Sequence, residues 1–168
     1  MQPPPPSASH PDGSGAARRR SGSPLVAVPG AVDPADEVEL ADDGTLVATL
    51  GRVSTSAELH CSRAVGAVAE CRPRFRPGPE DGTVVAAASH VADVSEDLAP
   101  LDRLAAQLAE DGWQRRHLAG QDAARMVAER DDLRLTASYA PATGAFLLEV
   151  VSAPLAVGAT RARRLVSG

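Results

Sequence analysis

Residues 101–113, Leu101-Asp-Arg-Leu-Ala-Ala-Gln-Leu-Ala-Glu-Asp-Gly-Trp113, decide how the rest of the chain is read. Leu101, Leu104, Ala105 and Leu108 recur at helical spacing, with Leu98 one turn earlier. That interval lays apolar side chains along one face of an α-helix. Asp102, Arg103, Glu110 and Asp111 fall mainly off the stripe. Ser95 or Asp97 offers a side-chain cap, and Pro100 suits the first turn, where an N–H would go unpaired in any case. Gly112 supplies the left-handed residue that ends the helix. A helix with one apolar face needs a surface to cover.

The residues on either side supply that surface. Downstream, Trp113 to Leu118 reads as a return strand, Gly120 to Asp122 as a loop, and Arg125 to Arg130 as a second strand. Asp131-Asp132 can turn tightly, because short polar side chains tolerate the left-handed backbone. Leu133, Leu135, Ala137 and Tyr139 then point one way, with Arg134, Thr136 and Ser138 the other. After the turn Pro141-Ala-Thr-Gly144, Phe146, Leu148 and Val150 form an inner face, and Leu147 and Val151 an outer one. Upstream, Thr83 to Val91 reads as a further strand. The fold class is α+β, with one amphipathic helix packed on an antiparallel sheet of about four or five strands. This core domain spans residues 81–154.

Before it, Arg72 to Glu80 holds three prolines and reads as a connector, with Arg72, Arg74 and Arg76 at alternate positions. Residues 54–72 admit two conformations. Thr55 with Glu58 suits a capping box, and Leu59, Ser62 and Val65 keep helical spacing. The rival is a hairpin turning at Gly66. On a continuous helix Cys61 and Cys71 would lie about 15 Å apart, too far for a disulfide. In the hairpin they would be cross-strand neighbours, and a bridge would contribute about 2–3 kcal/mol. Further upstream, Asp43-Gly44 between Val38, Leu40 and Leu46, Ala48, Leu50 is a hairpin signal. Residues 33–80 are therefore read as an acidic hairpin, a Cys-bearing segment and a linker.

Residues 1–32, rich in Pro, Gly, Ser and Arg, cannot bury enough surface to offset ordering entropy and read as a disordered N-terminal arm. Residues 155–168, with Arg161, Arg163 and Arg164, read as a flexible tail. All 17 basic residues are arginine, and the net charge is −5. An acidic balance with dispersed arginines and no aromatic platform argues against nucleic acid as the main partner. No apolar run approaches the length of a transmembrane segment. Arg18-Arg19-Arg20 before residues 24–32 is similar to the start of a signal peptide, but Pro24, Pro29 and Gly30 interrupt the apolar run. Both a cytoplasmic and an exported location fit.

No pattern of chemistry stands out. The histidines His10, His60, His90 and His117 lack the short paired spacing of a structural zinc site. Ser89-His90 with Asp93 lacks the strained Gly-x-Ser-x-Gly turn of hydrolases, and no Gly-rich phosphate cradle occurs. Glu129, Asp131 and Asp132 flank a turn that wants them for backbone reasons. No catalytic, cofactor-binding or metal-ligating residue is therefore assigned, and no cofactor.

The helix of residues 101–113, followed by strands at Leu133–Tyr139 and Phe146–Ser152, resembles small exported or lipoprotein-type domains of actinobacteria. The resemblance covers about 60 residues. It implies an envelope-associated module and carries no active residues with it. The chain departs from the lipoprotein pattern in having no cysteine after an N-terminal apolar run. The expected function is a non-enzymatic interaction or envelope-associated module, with a protein as partner. Its interaction face would be the sheet surface opposite the helix, where Arg134, Thr136, Ser138, Leu147 and Val151 should cluster. Two alternatives are carried forward. One is a small hydrolase using Cys61 or Ser89 with a histidine, and the other an intracellular regulator binding acidic partners through Arg-bearing tails.

Overall fold

A computed structural model describes residues 39–66, 71–94, 99–118 and 124–168. The elements follow in the order α1 (Asp43–Val65), β1 (Arg74–Pro77), β2 (Thr83–Asp93), α2 (Pro100–Glu110), β3 (Gln114–Leu118), β4 (Ala124–Arg130), β5 (Leu133–Ala140), β6 (Ala145–Ser152), β7 (Leu155–Ala156) and α3 (Ala159–Ser167). The seven strands form one antiparallel sheet in the order β1-β2-β6-β5-β4-β3, with β7 paired to the start of β2. Strands β3 to β6 form a meander. α2 is the crossover that carries the chain from β2 to the far edge.

The α+β class and the antiparallel sheet agree with the sequence. α2 buries Leu101, Leu104, Ala105 and Leu108, the stripe expected of it, and Pro100 opens it. Its N-cap falls at Ala99, which has no side-chain oxygen to offer. Ser95, Asp97 and Leu98 lie outside the described residues. At the other end Trp113 N–H donates to Leu108 O at 2.8 Å and Gly112 N–H to Ala109 O at 3.2 Å. This pairing closes a helix through a left-handed glycine, and Gly112 has φ 78°. Asp131 takes φ 52° in the β4–β5 turn.

Several expectations are corrected. Among the described residues there are three helices rather than one, and seven strands rather than four or five. The hairpin read at Asp43-Gly44 is the first turn of α1. Asp42 is its N-cap, and the carboxylate accepts from Thr45 N–H at 2.7 Å. Short polar side chains such as those of Asp42 and Asp43 serve a turn and a helix N-terminus equally well, and packing decides between them. The connector at 72–80 contains β1, whose Phe75 points to the core while Arg74 and Arg76 point away. The expected flexible tail at 155–168 is β7 and α3. Gly82 O accepts from Val157 and Gly158 N–H, and Arg161 donates to Ala41 O at 2.7 Å and to the Asp43 carboxylate. Residues 37–168 form one compact unit, so the boundaries expected at 80/81 and 154/155 fall inside it. The arm at 1–32 lies outside the described residues.

The core sits between the helices and one sheet face. Val53, Ala57, Cys61 and Ala64 of α1 and the α2 leucines join one buried cluster. Its sheet floor is Ala86, Ala88, Met126, Ala128, Leu135, Ala137, Phe146, Leu148 and Val150. Val84 shares that face and buries Leu46 of α1 with Ala162 of α3 in a second cluster. All three helices therefore cover the same side of the sheet. Every aromatic ring of the chain lies in or against this core: Trp113 and Phe146 inside it, Phe75 and Tyr139 at its margin. Among the described residues no helix is long and apolar enough to cross a membrane.

Candidate interaction surface

The other face of the sheet carries no helix among the described residues. Strand alternation and register fix which side chains stand on it. Arg134 pairs with Val151, Thr136 with Glu149 and Ser138 with Leu147. The five residues singled out from sequence are thus brought together on two adjacent strands. The same rows continue outward on both sides. Val151 pairs with Ala87 and Leu147 with Val91 on β2, and Arg74 and Arg76 stand at the β1 edge. On β4 the face presents Arg125, Val127 and Glu129, and on β3 Gln114 and Arg116.

The surface has two properties. Val91 is 64% and Leu147 42% exposed although they pair directly, so an apolar step lies open to solvent. Around it stand five arginines, 74, 76, 116, 125 and 134, against the carboxylates of Asp93, Glu129 and Glu149. Arg76 pairs with Glu149 at 2.5 Å, and Arg134 reaches Glu129 only at 3.9 Å. Arg74, Arg116 and Arg125 are exposed and have no ion-pair partner among the described residues. A chain of net charge −5 therefore carries a locally positive sheet face. The centre of this face, Arg134 included, is legible in the sequence, whereas the placement of Arg74, Arg76, Arg116 and Arg125 around it is not. The alternate spacing of Arg74 and Arg76 is that of a strand, but the Pro-rich context makes β1 resemble a linker.

The residues weighed for catalysis lie elsewhere. Ser89 shares the outer face with Glu149, whereas His90 points into the core at 4% exposure, so the two side chains stand on opposite sides of the sheet. Cys61 and Cys71 are both free and buried. Neither of the two geometries weighed for them applies: α1 runs through Cys61 and ends at Gly66, and Cys71 returns to the same core, its Sγ 3.5 Å from Ser89 O. Burial and the neighbouring Cys71 push the Cys61 thiol up to about 11, and burial with Glu58 nearby pushes Cys71 up as well. A thiol held protonated at neutral pH is a poor nucleophile. Burial also lowers His60 and His90 below the usual imidazole value. The side chain of His117 and all of His10 lie outside what is described. No group of three metal-ligating side chains occurs among the described residues. Compared with known proteins, the chain matches no family model, no curated protein and no solved structure.

Proposed function

We propose that the unit of residues 37–168 is a non-enzymatic binding module that docks an acidic protein segment on the sheet face that carries no helix among the described residues. The carrying observation is the separation of charge: arginines exceed carboxylates on that face while carboxylates exceed arginines in the whole chain. The exposed Val91–Leu147 pair adds an apolar anchor inside the arginine rim. An extended segment carrying both Asp or Glu and a branched aliphatic residue matches both features. Single-stranded nucleic acid fits less well, since bases want aromatic stacking platforms and the face has none.

The test is selection from a random peptide display library on the full chain, followed by affinity measurement with an Arg125→Glu, Arg134→Glu double variant. Enriched peptides should be acidic with an aliphatic residue. They should lose at least tenfold in affinity against the variant and weaken with added salt. Peptides without acidic residues, affinity unmoved by the double substitution, or tighter binding of oligothymidylate than of any peptide would overturn the proposal.

A further inference from the structure

On the helix side, away from that surface, a cleft of about 630 Å³ opens between α1, the end of α2 and the β4–β5 turn. Leu59, Trp113 and Leu133 give it an apolar lining. His60 also lines it at 3% exposure, with its ring edge-on to Trp113 at 5.4 Å and its Nδ1 without a hydrogen-bond partner. Three arginines and three aspartates share the walls, but their pairings are unequal. Arg52 holds Asp132 through two bonds at 2.9 and 2.6 Å. Arg63 reaches Asp111 only at 3.4 Å, and Arg130 Nε reaches Asp131 only at 3.5 Å. Arg130 also donates to the Asp111 backbone carbonyl at 2.8 Å, so both guanidinium groups contact the same residue, one through its backbone and one through its carboxylate.

Long, half-exposed pairs contribute little to stability, so the two loose ones can open at small cost. Each guanidinium has five donors, and Arg63 and Arg130 use few of theirs. Because carboxylates and guanidinium groups are balanced, a ligand of one sign meets a repelling partner beside each attracting one. A ligand of both signs takes both partners.

The geometry points to a binding site for a small zwitterion of amino-acid type with an apolar side chain. Its carboxylate sits on Arg63 and Arg130, its ammonium on Asp111 and Asp131, and its side chain on Trp113 and Leu59. The two-bond Arg52–Asp132 pair has the shortest contacts of the three, is not called on by the ligand, and links α1 to the turn. The volume suits one or two residues of such a ligand.

Trp113 is the only tryptophan, so the cleft carries its own reporter. The full chain is titrated with L-norleucine, with hexanoate, which lacks the ammonium, and with hexylamine, which lacks the carboxylate. Binding is followed by Trp113 fluorescence and by the indole N–H resonance of ¹⁵N-labelled protein. Norleucine should saturate both signals and bind at least tenfold tighter than either analogue. Arg63→Gln and Asp131→Asn should each weaken it about tenfold, while Arg164→Gln on α3 should leave it unchanged. A preference for norleucine below tenfold would overturn the assignment. So would silence of both signals, or full affinity in either cleft variant with its circular dichroism intact.

Discussion

His60 enters the interior from α1 and His90 from β2, and neither finds a counter-charge strong enough to hold a proton there. For both, burial is the largest cause of a lowered pKa, although Asp111 pulls His60 partly back. An imidazole that titrates lower folded than unfolded contributes stability above about 6.5, its ordinary value, which is lost as pH falls below it. The cysteines limit the other end. Their raised values mean that the unfolded chain ionises near 9 while folded Cys61 resists to about 11, so stability falls as pH rises through that window. Urea unfolding should therefore show a plateau between roughly pH 7 and 8.5, with a loss of about 2 kcal/mol toward pH 11. Cys61→Ala should flatten the alkaline limb, and an unchanged slope would contradict the burial of that thiol. Little of this was legible in the sequence. His-Cys and Ser-His neighbours invite catalytic readings, and only the packing shows that these groups point into a core or to opposite sides of a sheet.

At the scale of the element, legibility followed the size of the buried side chains. α2 was found from its leucines, and β5 and β6 from Leu135, Phe146, Leu148 and Val150, all fully buried. α1 buries Leu46, Thr49, Val53, Ala57, His60, Cys61 and Ala64. That spacing is helical too, but small and polar residues give a faint stripe, and Asp43-Gly44 offered a competing turn. Leu104→Ala in α2 should cost about 2–5 kcal/mol, because the side chain has no exposed surface and its truncation leaves a cavity in the core. A near-neutral result in denaturant titration would contradict the orientation of the helix. The Arg52–Asp132 pair ties α1 to the β4–β5 turn, yet both side chains are more than a third exposed. Solvent screening should hold its coupling in a double-mutant cycle below about 1 kcal/mol. Its role is to place the elements rather than to stabilise them strongly.

At the scale of the whole molecule, among the described residues the three helices crowd one side of the sheet and none lies on the other, an asymmetry the sequence foreshadowed in the mixed outer residues of β5 and β6. The closing segment was not foreshadowed. α3 is Arg-rich and buries only Ala162, too little for an apolar stripe to announce it. Its importance comes from where it lands. Val157 and Ala162 complete a cluster with Leu46 and Val84, which join the first turn of α1 to the start of β2. The polar contacts of Arg161 with Ala41 and Asp43 close the same junction. Truncation after Pro154 should uncover Leu46 and Val84, now 3% and 0% exposed, while deleting Val157 outright. At roughly 1.5–3 kcal/mol for each aliphatic side chain returned to water, the loss should be at least about 3 kcal/mol. Thermal unfolding of the truncated chain checks this, because a flexible tail would leave the midpoint where it was. The substitution Leu46→Ala should reproduce part of the loss, and combining it with the truncation should cost less than the sum, since both act on one cluster.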